Sequence, residues 1–160
     1  MIAVRSAALA TALAGAGCVS LDSPPRCWPV VVRDGASRPL ADGDPLVLEA
    51  GPLRQYMAVV GIAAERIAGG SAGDVTDPTN PDYSVRLTQD SWGELARREG
   101  KLGFSARPDG TSELDGLRLV LWTDPAALLG LTCRLAVTVV DDGGNYCASD
   151  VAVVLTGPSP

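Results

Sequence analysis

Four cysteines, two runs of acidic residues and two tryptophans are the side chains of this 160-residue chain that could do chemistry. The chain contains no histidine, which excludes Ser-His-Asp and Cys-His catalysis together with His-ligated zinc and copper. Asp74, Asp77, Asn80 and Asp82 fall in one segment, Gly69 to Asp82, and Asp141, Asp142 and Asn145 in another. Oxygen ligands from two such loops could converge on Ca²⁺. Their spacing matches no EF-hand, however, and Pro78 and Pro81 suit an extended loop of solvated carboxylates, so no metal and no cofactor is expected. Trp92 at a turn and Trp122 on the more polar face of its strand could stack on a sugar ring, and partial burial beneath an edge strand explains both equally. No carboxylate pair is marked out by an apolar pocket signal, so the reading is non-catalytic.

The charge balance narrows the partners further. Thirteen Lys and Arg stand against nineteen Asp and Glu, a net charge of −6, and the one lysine is Lys101. Nucleic-acid affinity comes mainly from basic neutralisation of phosphates, so a nucleic-acid partner is not expected. The chain is 46% apolar, yet has no apolar run of the ~18 residues needed to cross a bilayer as a helix. Its length fits one domain.

The N-terminus has the layout of an export signal. Arg5 is the only charged side chain before Ala7 to Ala16, an uncharged stretch rich in Ala and Leu that would rise ~15 Å as a helix, about half a bilayer core. Cleavage after Ala14-Gly15-Ala16 would satisfy the small-x-small rule and leave Cys18 a plain thiol. Alternatively, Leu13-Ala14-Gly15-Ala16-Gly17-Cys18 resembles the lipobox of bacterial lipoproteins, with Gly15 where that family prefers leucine. The resemblance implies cleavage before Cys18 and lipid attachment to it, hence a membrane partner reached through the N-terminal lipid. Val19 in place of aspartate implies the outer membrane. Several acyl chains on one cysteine give lasting attachment where one gives only marginal binding. Val19 to Arg26 is polar and Pro-rich, a tether of roughly 25 Å when extended. The expected organisation is a signal peptide over 1–17, lipidated cysteine and tether over 18–28, and one domain over 29–157.

Downstream of Cys27, apolar residues recur with period two. Tyr83, Val85 and Leu87 alternate with Ser84, Arg86 and Thr88; Leu117, Leu119 and Leu121 alternate with Arg118 and Trp122, only Val120 breaking polarity; Leu135, Val137 and Val139 alternate with Arg134 and Thr138, and Val151, Val153 and Leu155 with Asp150 and Ala152. Shorter candidates are Val30 to Val32, Leu46 to Leu48 and Gly103 to Ala106. Turn residues punctuate them at Asp34-Gly35, Asp42-Gly43, Asp109-Gly110, Asp115-Gly116 and Asp141 to Asn145. This spacing predicts an all-β chain folded as an immunoglobulin-like antiparallel β-sandwich of about 7–9 strands. One short helical turn is expected at Asp124 to Gly130, capped by Asp124 and closed by Gly130. Tyr56 to Ile67 also fits a helical face, but β-branched Val59, Val60 and Ile62 favour a strand in its first part. Ser91 to Glu94 has capping-box spacing and could equally lead into an edge strand, the reading adopted.

The body from Pro29 to Thr156 is similar to small Ig-like domains of myxobacterial-type lipoproteins. Leu40 to Leu46, Gly51-Pro52, the Asp109-Gly110 and Gly116-Leu117 turns and the final hairpin carry this likeness. It implies fold and location, not an activity. Where that family has a Gln-Gly-Gly-x-His run, this chain has Leu53-Arg54-Gln55-Tyr56.

A hairpin turning at Asp141 to Asn145 places Cys147 opposite about residue 139 and Cys133 opposite about 153. Their sulfurs would then lie ~20 Å apart, too far for a bond. In an Ig-like layout the first and last strands run parallel and their starts share one end of the sandwich, which pairs Cys27 with Cys147. Cys133, on the face of Leu135 and Val137, is expected to be a buried, inert thiol. Together these readings describe a lipid-anchored cell-envelope protein whose sandwich is a non-catalytic binding or structural module with an unidentified protein or glycan partner. Two alternatives remain: a carbohydrate-binding or hydrolytic accessory domain, and a secreted soluble module.

Overall fold

A computed structural model describes residues 23–51 and 55–157. Among them eleven strands form two packed sheets. The strands are β1 (Arg26–Arg33), β2 (Ala36–Pro39), β3 (Asp44–Val47), β4 (Glu49–Ala50), β5 (Tyr56–Glu65), β6 (Asp82–Gln89), β7 (Gly93–Lys101), β8 (Ser105–Ala106), β9 (Ser112–Leu121), β10 (Thr132–Val140) and β11 (Tyr146–Thr156). The first sheet runs β2-β1-β5-β9-β8, with β4 also on β5; the second runs β3-β11-β10-β6-β7. The architecture is the all-β sandwich that the alternating pattern predicts. Eleven strands exceed the expected number because β4 and β8 are two-residue pairings at the margins.

The alternation has its physical cause in the core between the sheets. Val85, Leu87, Leu119, Leu121, Leu135, Val137, Val153 and Leu155 are all buried, from strands of both sheets. Each such side chain stabilises the fold by about 1.5–3 kcal/mol relative to exposure. The single turn of 3₁₀ helix at Pro125–Ala127 sits where the helical turn was expected. The Asp124 carboxylate accepts the Ala126 N–H at 3.0 Å, and Gly130 takes a positive φ of 83° to close the turn.

The doubtful segments resolve as strands. Tyr56 to Glu65 is β5, paired to β1 on one side and β9 on the other, and Gly93 to Lys101 is the edge strand β7. That edge carries Glu94, Arg97, Arg98, Glu99 and Lys101, charges that discourage pairing with another chain. One pairing departs from an all-antiparallel sandwich: β3 lies parallel to β11, with Leu46 opposite Leu155. The Leu40 to Leu46 segment makes this possible by carrying the chain from the edge of the first sheet to the edge of the second. There the Asp42 carboxylate accepts the Ala152 N–H at 2.8 Å while Gly43 N–H donates to the Ala152 carbonyl at 2.8 Å.

Cys27 and Cys147 form a disulfide across the two sheets, with Cα atoms 5.7 Å apart and a sequence separation of 120. Cys133 stands opposite Val153 and Val139 opposite Cys147, the hairpin register expected from the turn. Cys133 is a free, buried thiol whose pKa is pushed up by desolvation.

Candidate functional site

The sandwich has two chemically different ends. At one, β1 and β11 begin, β5 and β10 finish, and both acidic loops emerge. The described chain enters here: Arg26 stands opposite Glu65, and the Arg66 guanidinium donates to the Ser23 carbonyl at 2.7 Å. Asp141 joins the two loops. Only 4% exposed, it accepts the Ala68 N–H at 2.9 Å, the Asn145 N–H at 2.9 Å and the Asn145 side-chain amide at 2.8 Å. Desolvation works to raise its pKa, and these donors outweigh it and leave the pKa lowered.

The remaining candidate ligands organise their own turns. Asp74 accepts from the Thr76 N–H and hydroxyl, which hold its pKa down, and Asp77 accepts the Thr79 N–H and hydroxyl. Asp82 pairs with Lys101 at 3.6 Å, and Asp142 is exposed. Asn80 is fully buried and staples the loop from inside, accepting the Ser71 N–H at 2.8 Å and donating to the Asp74 carbonyl at 2.6 Å. Among the described residues no group of three or more His, Cys, Asp or Glu side chains could hold a metal ion. Cys18 lies outside the described residues.

The opposite end displays the tryptophans. Trp92 is 51% exposed in the β6–β7 turn, and Trp122, just past β9, is 79% exposed. Neither is covered by an edge strand. The Gln89 side chain fixes the first turn by accepting the Ser91 N–H at 2.7 Å and the Trp92 N–H at 3.0 Å. Leu129, in the connection from Trp122 to β10, is also exposed.

A third cluster was not found by sequence reasoning. Glu113 and Asp115, two apart on β9, share the outer face of the first sheet. Arg107, on the β8–β9 connection, bridges them: Nε lies 3.1 Å from Glu113 Oε2 and Nη2 lies 2.9 Å from Asp115 Oδ2. Glu113 is only 6% exposed, and its Oε1 has no hydrogen-bond donor; the buried Ser37 hydroxyl likewise makes no bond. Gly61, at the bulge between Val60 and Ile62, makes room. A Cβ there would sit 2.8 Å from the Leu114 carbonyl and 3.1 Å from Asp115 Oδ1. The sequence signal was present, two acids in i, i+2 spacing at a strand start, but their burial depends on strands far away in the chain.

The sequence matches no family model and no curated protein in these comparisons.

Proposed function

We propose that this chain is a lipid-anchored protein of the bacterial cell envelope, at the outer membrane, whose sandwich is a non-catalytic binding module. The observation that carries the reading is the exit of the chain at Ser23, held by Arg66 at the end bearing the acidic loops. Ser23 lies five positions beyond Cys18, a reach of at most ~18 Å. A lipid on Cys18 therefore keeps this end beside the bilayer and turns the Trp92 and Trp122 end outward. Spin labels at Asp77 and Asp142 should report membrane proximity while one at Ala127 does not; equal exposure of all three would refute the orientation.

A second reading concerns the partner. Two indoles standing 51% and 79% exposed at the outward end favour a glycan, because sugar rings stack on exposed planar aromatics. Trp92→Ala or Trp122→Ala should then abolish retention on envelope polysaccharide, and unchanged retention in both would dismiss the glycan.

A further inference from the structure

The Glu113–Asp115 cluster is difficult to account for as two carboxylates. Glu113 is almost fully buried on the outer face of its sheet, with an oxygen that no donor reaches. Asp115 lies within hydrogen-bonding reach of it, and the two compete for one guanidinium. A pair of ionised carboxylates at this spacing repels itself, and desolvation at Glu113 increases the cost. Removing that cost requires either a second cation or a proton. The other charged groups on the surrounding elements are placed elsewhere. Glu65 of β5 pairs with Arg26 of β1; Arg118 of β9 stands opposite Val59, several rungs along; Arg33 of β1 donates to the Pro45 carbonyl. Asp109 in the adjoining turn accepts from Thr111, and Arg38 of β2 points to the other side of its strand from Ser37, whose hydroxyl is the neutral donor facing Glu113.

We infer that Glu113 and Asp115 hold one proton between them, clamped by Arg107, so that this face of the sandwich is a proton-binding site. The proton sits on Asp115, whose O–H donates to Glu113. Glu113 remains the carboxylate, held by Asp115 and Arg107. The directions of titration agree. Hydrogen bonding to Glu113, then burial and the neighbouring charge, push Asp115 up to about 6; desolvation works to raise Glu113, and the interaction with Asp115, the nearby Ser37 hydroxyl and Arg107 outweigh it and bring it down. A raised acid contributes stability at low pH that is lost as pH climbs through about 6. A lowered acid contributes stability above its ordinary value of 4.5 that is lost as pH falls. The pair therefore stabilises the fold most around the two ordinary values, 3.8 and 4.5, and loses that stability as pH climbs to about 6. On release of the proton the Arg107 clamp faces two negative charges, and the strain falls on β8, whose Ser105 and Ala106 pair with Glu113 and Ser112.

The test follows the side-chain carbonyl carbons of the ¹³C-labelled full chain by NMR as pH is varied. Asp115 should titrate with a midpoint near 6, and a midpoint in the ordinary aspartate range near 3.8 would overturn the assignment. In E113Q the Asp115 midpoint should fall by at least about one pH unit; if it stays near 6, burial alone raises it and there is no shared proton. D115N keeps a donor to Glu113 and should flatten the fall in melting temperature between about pH 4 and about pH 6, the interval over which the folded pair holds a proton that the unfolded chain has lost. An unchanged slope in a folded D115N would also contradict the pair. Should either variant fail to fold, the wild-type titration decides alone.

Discussion

The Asp141 carboxylate accepts the backbone N–H of Ala68, 73 positions earlier in the chain, at 2.9 Å. This bond fastens the last hairpin, which belongs to one sheet, to the exit of β5, which belongs to the other. It closes the sandwich end where the chain enters, alongside the Cys27–Cys147 disulfide. A residue type that looked like a metal ligand in the sequence works here as a structural latch.

Removing that latch should be costly. Asp141→Ala leaves the N–H groups of Ala68 and Asn145 without their acceptor, and is predicted to lower unfolding free energy by about 2–3 kcal/mol in urea titrations. A loss under about 0.5 kcal/mol, the level of an ordinary surface change, would show the latch to be inconsequential. Because the folded-state pKa of Asp141 is lowered, its contribution is present above the ordinary value of 3.8 and disappears as pH falls below it. The mutant should accordingly show a shallower acid unfolding limb than the wild type.

The two buried-cysteine environments should behave oppositely. Breaking the 120-residue disulfide loop by Cys147→Ser removes up to about 5 kcal/mol in the chain-entropy model, which would unfold a domain of ordinary stability at growth temperature. Cys133, deep in the core with its thiol pKa raised, should react with a thiol reagent only after denaturant is added. Rapid labelling in the native state would mean that β10 opens far more readily than its pairings with β6 and β11 imply.

The close approach at Gly61 makes a further prediction. Gly61→Ala drives a methyl toward the Leu114 carbonyl, Val30 and Asp115 Oδ1, so it should destabilise by about 1–3 kcal/mol despite the usual benefit of replacing glycine. A rise in melting temperature would show that the bulge adapts freely.

At the end of the sandwich that carries Trp92 and Trp122, loss of either exposed indole should leave the fold intact. Trp92→Ala and Trp122→Ala are expected within about 0.5 kcal/mol of wild type in thermal melts. A larger loss would mean that these side chains serve packing, and would remove them as a binding platform.

Much of the scaffold was legible because it follows local periodicity. The alternation in β6, β9, β10 and β11 is dictated by which face meets the core, and the Asp141 to Asn145 turn sets the hairpin register that keeps Cys133 away from Cys147. Asp124 and Gly130 announced their helical turn through capping chemistry. What escaped was non-local. The parallel pairing of β3 with β11 depends on a chain crossing between sheets, which no strand period encodes. The burial of Glu113 depends on Ser37, Gly61 and Arg107, contributed by three separate segments. Asp141 and Asn80 were recognised as polar loop residues, but their partners, Ala68 and Ser71, are backbone groups without any side-chain signature.

The account turns on how the chain is held, and the mature N-terminus tests this most directly. Mass spectrometry of the protein recovered from envelope membranes should find Cys18 as the first residue, its mass increased by acyl chains. A mature chain beginning at unmodified Gly17 would contradict the anchor and leave a freely diffusing sandwich.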